Sequence, residues 1–413
     1  MVIEASLKVY LAAVCTLLGP ICFGIAIGYS SPAFETLLRI NGTEGKENSR
    51  NRIASKTDCS LISAAITLGA LLGSLAGGFI SQTLGRKKAL VIYGLPYATG
   101  CAIIFFAKSV PVIVTGRFIT GIITGMICTA APTYIVEIST PKTRGLLGTS
   151  FQLCIVTGIF IMSVFGIFST KEFNYFFNWR YLALIGIMPS LALSITMFFM
   201  PESPAWLLSR YGRSSLKPEK ALTKLRTPNS DIQKELNEIN EVISESKSVL
   251  ITFEELKKPE VWKPLLLGIG LMFFQQFSGI NVVMFFQTQI LEEAGASSPA
   301  VGTALTCFAQ LASTFVGAYI MDKLGRRKLL LISGGGHTAS LFTLGLYFYF
   351  REKQEIELNF IPVVCLIVYI VAFAIGYGPV AWLMIPEMTP TTARSFLDWK
   401  LFNILVVLND MRY

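Results

Sequence analysis

The stretch DKLGRRK, at residues 322–328, places four cationic side chains between two long apolar runs. A near copy, QTLGRKK, occupies residues 82–88 and is also flanked by apolar runs. Charged side chains are costly inside a bilayer, so each stretch is predicted to be a turn at the membrane surface. Gly325 and Gly85 permit a tight turn, because glycine tolerates backbone angles that other residues avoid. A basic turn that occurs twice predicts an internal repeat.

The composition indicates a membrane protein. Of the 413 residues, 53% are hydrophobic and 15% are charged, whereas a soluble domain carries about 25% charged residues. A membrane-spanning helix needs roughly 20 mostly apolar residues. Suitable runs lie near residues 9–29, 59–81, 88–107, 110–135, 146–168, 181–200, 264–286, 300–321, 328–350 and 361–385. The sequence therefore predicts an all-α membrane protein with about ten transmembrane helices. The first run is long enough to span, so a cleaved signal peptide is not predicted.

The basic residues indicate the side of the membrane on which each loop lies. With a cytoplasmic N-terminus, the inner loops hold 22 Lys and Arg residues and the outer loops hold ten. Cytoplasmic loops carry an excess of these residues, which favours this orientation. The first outer loop contains the sequon NGT, so Asn41 is a candidate glycosylation site. We expect a multi-pass protein in contact with membrane lipid.

A polar stretch at roughly 205–262 separates six of the apolar runs from the remaining four. Within this linker, SDIQKELNEINEVISESK begins with the capping box Ser230 and Gln233, and its charges lie all around the helix. The pattern predicts a solvated cytoplasmic helix between two bundles. The predicted domains are residues 1–204, the linker 205–262, the second bundle 263–394 and an atypical tail 395–413.

The two bundles repeat each other. Each basic turn follows the second apolar run of its bundle, and Glu137 precedes Arg144 by the same interval as Glu387 precedes Arg394. Repeats of equal topology, related by an axis along the membrane normal, are typical of transporters with a substrate site between the halves.

The residue types exclude several other classes of protein. The eight cysteines show no metal-binding spacing, and the single histidine, His337, argues against a zinc site or a histidine-based catalytic triad. His337 follows three glycines within an apolar run and is interpreted as a packed core residue rather than a proton relay. The positive charge lies in loops, where topology explains it, so no nucleic-acid partner is expected. We predict that the protein is not an enzyme and that it binds no metal and no cofactor.

Motifs along most of the chain resemble the major facilitator superfamily, and within it the sugar porter family. The resemblance rests on GRKK and DKLGRRK, GRF at 116–118, PTYIVE at 132–137, TRG at 143–145, PESP at 201–204, QQFSGIN at 275–281 and GYGPVAW at 376–382. The chain is most similar to insect facilitated trehalose transporters and related glucose facilitators. The resemblance implies the major facilitator fold, with two pseudo-symmetric six-helix bundles of which the second is incomplete here.

Uncharged amides within the apolar runs are candidates for a sugar site. A sugar presents hydroxyls that both donate and accept hydrogen bonds, and Gln and Asn match them without the desolvation cost of a charge. The candidates are Gln152, Gln275, Gln276, Asn281 and Gln310. Hydrogen bonding between helices is an alternative role for each of them. The resemblance implies sugar contact at Gln152, Gln275, Gln276, Asn281 and Trp382; at Gln310 the family often has Asn.

Helix breakers interrupt two of the runs. Gly279, Gly378 and Pro379 free backbone groups that only a protein interior or a cavity can satisfy. The resemblance implies that these two helices close over the sugar. It places Phe285 and Phe286 at an outer gate, where the family often has tyrosines.

Charged residues cluster at the predicted cytoplasmic ends of the helices. The proposed ion-pair network contains Arg86, Arg117, Glu137, Arg144, Glu202, Asp322, Arg326, Arg327, Glu387 and Arg394. The run at 9–29 has no carboxylate, whereas the resemblance implies an acid there in proton-coupled sugar porters. We therefore expect facilitated diffusion of a neutral sugar across the plasma membrane.

The tail departs from the family pattern. In residues 395–413, Asp398 and Lys400 interrupt an apolar run that is too short to span. The resemblance implies twelve helices, so we expect a chain that transports poorly or not at all. The alternative to a uniporter is therefore a transport-deficient isoform or a sugar sensor of the same fold.

Overall fold

The structure is a computed structural model that describes residues 6–38, 54–141, 143–170, 178–228, 230–248, 259–352, 360–380 and 384. These residues are almost entirely helical. The helices are α1 (Leu7–Gly28), α2 (Ser30–Leu38), α3 (Lys56–Leu84), α4 (Arg86–Phe106), α5 (Val110–Ile138), α6 (Arg144–Ile167), α7 (Trp179–Ile185), α8 (Ile187–Phe198), α9 (Pro204–Tyr211), α10 (Leu216–Leu225), α11 (Ile232–Ser248), α12 (Pro259–Phe277), α13 (Ile280–Glu293), α14 (Pro299–Leu324), α15 (Arg326–Glu352) and α16 (Ile361–Ile375). We refer to α1–α8 as the first half, α9–α11 as the linker and α12–α16 as the second half.

Ten helical segments in the described residues are long and apolar enough to cross a membrane. They correspond one by one to the ten predicted runs, which confirms that prediction. The two basic turns also have the predicted form. Gly85 separates α3 from α4 with φ 100°, and Gly325 separates α14 from α15 with φ 80°, both in the region that favours glycine.

Two segments differ from the simple runs that the sequence predicts, and a third is interrupted at a glycine that the sequence identifies as a helix breaker. The first continues past residue 29 as α2, which buries Phe34 and Glu35. The sixth is divided at Gly186, between α7 and α8. The seventh breaks between α12 and α13 at Gly279, whose φ of 83° is left-handed. Apolar periodicity locates a span, but it does not show where tertiary contacts bend the helix.

Glycines allow the helices of the first half to approach closely. A Cβ added at Gly73 of α3 would overlap the backbone of Ile122 in α5, and one at Gly24 of α1 would overlap the backbone of Ile155 in α6. Small residues at such crossings are typical of membrane helices, which associate by close van der Waals packing. The two halves meet where α6 packs on α14 and α2 packs on α13.

The linker is attached to the first half rather than solvated on all sides, which corrects the prediction from its charges. Arg226 follows α10 and donates from Nε and Nη2 to the carboxylate of Glu235, at 2.9 and 2.5 Å. Its Nη1 donates to the carbonyl oxygen of Ile138, the last residue of α5, at 2.9 Å. The indole Nε1 of Trp206 donates to the carbonyl of Gln82 at 2.6 Å. These bonds join all three linker helices to the first half.

We expect Arg226→Met to destabilise the protein by about 3 kcal/mol, because it leaves the carboxylate of Glu235 largely buried without its cation. The melting temperature in detergent measures the effect. The double variant Arg226→Met with Glu235→Met removes both charges and should recover much of the loss. Lys224→Met, at an exposed neighbouring position, is the control. Equal melting temperatures for Arg226→Met and the control would contradict the prediction.

Candidate functional site

The break in the seventh span brings a buried amide against the break in the tenth. Gln275 is 2% exposed near the end of α12. Its Nε2 donates to the carbonyl oxygens of Tyr377 and Gly378, at 2.8 and 3.2 Å. These carbonyls lie just beyond Gly376, at which the tenth span is interrupted after α16. The side chain therefore ties the seventh span to the tenth beside the interruption of each.

The oxygen of this amide has no protein donor in the described structure. Gln275 Oε1 is buried and accepts no hydrogen bond within the described structure. Because Nε2 donates to two carbonyls, the amide cannot be flipped without losing both bonds. The atom on its other side is therefore Oε1, which can only accept a hydrogen bond. A buried acceptor without a donor is costly, and a sugar hydroxyl would satisfy it.

The remaining predicted amides lie on several helices. Gln276 and Asn281 are half-buried on either side of the break, and Asn281 Nδ2 lies 3.5 Å from Gln276 Oε1. Gln310, on α14, is 3% exposed, and its Oε1 accepts no hydrogen bond from a described residue. Gln152 is half-buried on α6, which packs against α14. Uncharged donors and acceptors thus occur on both halves.

A further buried amide was missed by the sequence reasoning. Gln287, on α13, is 1% exposed, and its Nε2 has no acceptor among the described residues. The predicted run ended at residue 286, one position too early to include it. The repeated amides of the stretch QTQ at 287–289 were the signal that could have identified it.

Hydroxyl groups and phenyl rings join the two halves on the face that the topology predicts to be extracellular. Ser31 Oγ lies 2.7 Å from Thr288 Oγ1, which is 3.0 Å from Thr303 Oγ1. The ring of Phe286 lies 5.5 Å from that of Phe34. Phe285 packs against the core of the first half. The predicted gate residues Phe285 and Phe286 therefore lie in the contact between the halves.

On the opposite face, Arg86 and Glu137 form an ion pair. Arg86 Nη2 lies 2.9 Å from Glu137 Oε1, and both side chains are largely buried. The pair joins the start of α4 to the end of α5, two helices of the same half. It therefore stabilises the first half internally, and any role in holding the two halves together remains a prediction.

Glu202 has a different role from the predicted one. Its Oε1 accepts hydrogen bonds from the backbone N–H groups of Lys87 and Ser203, at 2.9 and 3.0 Å. It thus satisfies a free N–H at the start of α4, where a negative charge is also favoured by the helix dipole. The prediction of an ion-pair partner is corrected to a helix cap.

Arg117 does not belong to the cytoplasmic network, and that prediction is wrong. It is 1% exposed within α5. Nη1 donates to the carbonyl oxygen of Ala26 and Nη2 to Ser30 Oγ, both at 2.7 Å. The guanidinium also lies 5.0 Å from the ring centroid of Tyr29. Arg117 therefore binds the first span through neutral groups, and no described carboxylate lies within ion-pair distance of it.

The remaining network residues are only partly described. Arg144 and Arg327 are exposed and form no ion pair with another residue in the described ranges. Arg326 is half-buried at the start of α15. Gly378 and Pro379, the predicted breakers of the tenth span, lie in the helical turn 377–380, and the interruption itself is at Gly376. The side chain of Asp322, and the residues Asn41, Trp382, Glu387, Arg394 and 395–413, lie outside the described part.

The arrangement suits a neutral polyhydroxylated ligand. The amides supply hydrogen-bonding groups without a net charge, and two interrupted helices meet at one of them, Gln275. Breaks of this kind allow half-helices to bend independently.

Comparison with known proteins gives a consistent result. Residues 12–398 match the family model "Sugar (and other) transporter". The mouse protein "Solute carrier family 2, facilitated glucose transporter member 8" is 33% identical over 402 residues, covering 93% of this chain and 79% of its own length. The "Facilitated trehalose transporter Tret1" of Apis mellifera ligustica is 33% identical over 390 residues, covering 93% of this chain and 74% of its own.

A solved structure has the same fold. The xylose transporter XylE from E. coli, in a partially occluded inward open conformation, superimposes with a TM-score of 0.75 at 22% identity, covering 98% of both chains. XylE bound to 6-bromo-6-deoxy-D-glucose, described as a proton:xylose symporter of the major facilitator superfamily, also gives 0.75, at 24% identity, covering 98% of this chain and 86% of its own.

Proposed function

The chain belongs to the sugar (and other) transporter family, and from that premise we propose that it moves a neutral sugar across the membrane by facilitated diffusion. The names of the mouse and honeybee relatives suggest a hexose or trehalose as substrate. We further propose that the protein is in the plasma membrane with a cytoplasmic N-terminus, and that the halves rock about a sugar bound between them.

The environment of Arg117 carries the proposal of uniport. Proton symport needs a titratable group near the substrate path. Arg117 is bound by a carbonyl and a hydroxyl of the first span, rather than by an acid that could take up and release a proton. The buried carboxylate of this span, Glu35, lies farther along in α2 and does not contact Arg117.

We expect an imposed inward proton gradient to leave the rate of sugar uptake into vesicles unchanged, because the hydrogen bonds of Arg117 in the described structure go to neutral groups and not to an acid that could couple the two fluxes. Initial rates of uptake of labelled glucose and trehalose, with and without the gradient, measure this. A several-fold acceleration would contradict uniport. If Glu35→Gln abolished that acceleration, Glu35 would be identified as the proton carrier.

Binding without uptake would instead favour a sugar sensor. Purified protein should therefore also be tested for sugar-dependent protection against thermal unfolding. Protection by a sugar that is not taken up by vesicles would overturn transport while retaining the sugar site.

A further inference from the structure

The single histidine of the chain lies in an aromatic cluster behind the two helix breaks. His337 is 5% exposed on α15. Its ring is stacked on that of Tyr377, with centroids 5.4 Å apart and planes inclined by 8°. The centroid of the Tyr369 ring lies 4.6 Å from that of the His337 ring. His337 therefore contacts two tyrosines at once.

Both tyrosines are bonded to the break in the seventh span. The hydroxyl of Tyr369 donates to the carbonyl oxygen of Ser278, the residue before Gly279, at 2.8 Å. The carbonyl oxygen of Tyr377 accepts the hydrogen bond from Gln275 Nε2. His337 thus stacks on two tyrosines that are each hydrogen-bonded to the break.

The backbone of Tyr377 depends on α15 for its position. Its N–H donates to Ser333 Oγ, at 3.1 Å, four residues before His337. The phenol of Tyr377 lies beside Gly334, because a Cβ at this position would be in van der Waals contact with the Tyr377 hydroxyl, at 3.4 Å. The glycine run and the histidine together form the surface of α15 on which Tyr377 packs.

His337 contacts its neighbours through the faces of its ring rather than through hydrogen bonds of its ring nitrogens. The imidazole lies against the backbone of Tyr369, yet neither Nδ1 nor Nε2 makes a hydrogen bond of good geometry to a described group. Stacking is therefore the interaction through which this side chain acts on its neighbours.

We propose that His337 is a positioning residue for sugar binding: by stacking on Tyr377 it fixes the carbonyl that orients Gln275, so that Gln275 presents only Oε1 to the substrate. The inference rests on the proposed function. It adds a residue that does not touch sugar but determines whether the amide acts as an acceptor. Loss of the stack frees the amide to rotate, which weakens binding of the sugar hydroxyl.

The test compares two variants. His337→Leu removes the stack, and we expect it to raise the KM for uptake about fivefold, the size of effect typical of one lost aromatic pair, with little change in the maximum rate. His337→Phe keeps a flat ring and should retain a KM close to that of the unmodified chain. Phe342→Leu, which removes an exposed ring from the same helix, is the control.

The outcomes separate the inference from the function on which it rests. Unchanged KM in His337→Leu, or an equal rise in both His337 variants, overturns the inference, the latter because it would assign the effect to the ring nitrogens. A lower maximum rate at constant KM, with a lower melting temperature, would indicate a purely structural residue and also overturns it. If the unmodified chain neither binds nor takes up sugar, the proposed function fails.

Discussion

Gly73→Leu is expected to prevent accumulation of folded protein. A side chain at Gly73 would meet the backbone of Ile122 in α5 rather than a flexible side chain, so α3 and α5 would have to separate along their contact. Overpacking of this kind costs about 3 kcal/mol or more. The measurements are the yield of monodisperse protein in mild detergent and its melting temperature.

Gly345→Leu is the matched control for this prediction. Gly345 lies within α15, is exposed, and has no atom within 4 Å of the place where its Cβ would lie. The same substitution should there be neutral or slightly stabilising, because leucine favours a helix over glycine by about 1 kcal/mol. Equal yields and melting temperatures for the two variants would show that the close approach of α3 and α5 is not needed.

Gln275→Ala is expected to reduce the initial rate of sugar uptake about 100-fold, the equivalent of about 3 kcal/mol. The substitution leaves the carbonyls of Tyr377 and Gly378 without their donor and removes the acceptor Oε1. Each lost buried hydrogen bond costs about 1–3 kcal/mol. Uptake in proteoliposomes, normalised to the amount of inserted protein, measures the effect.

Two further variants make this prediction specific. Gln275→Glu preserves size but cannot donate to the two carbonyls, so its uptake should be as low as that of Gln275→Ala. Leu266→Ala, an exposed position on the same helix, should retain normal uptake. Substantial uptake by Gln275→Glu would mean that the contact with the broken tenth span is dispensable.

The sequence predicts much of the fold, because the membrane imposes strong local rules. Apolar length located the ten spans, and the repeated glycine in the basic turns located the junctions at Gly85 and Gly325. The breakers also indicated the interruption at Gly279. These features depend on residues that are neighbours in the chain, so composition and spacing reveal them.

The errors concern partners that are distant in the chain. Charge alone placed Glu202 and Arg117 among ion pairs. In the folded chain, Glu202 accepts a hydrogen bond from a backbone N–H, and Arg117 donates to a carbonyl and a hydroxyl. The extension α2 was missed because the first apolar run ends at residue 29, while contacts with the second half help to bury the next residues as a helix. The choice among possible partners is decided by helix packing, which one sequence does not encode locally.

The attachment of the linker connects an exposed surface outside the ten candidate spans to the helices of the first half. Arg226 connects α11 to the carbonyl end of α5, and the residue before that end, Glu137, is paired with Arg86 at the start of α4. A nanobody that binds the exposed face of α11 would therefore be connected to the first half through these bonds. We expect such a nanobody to change the rate of sugar uptake although it binds far from the proposed sugar site.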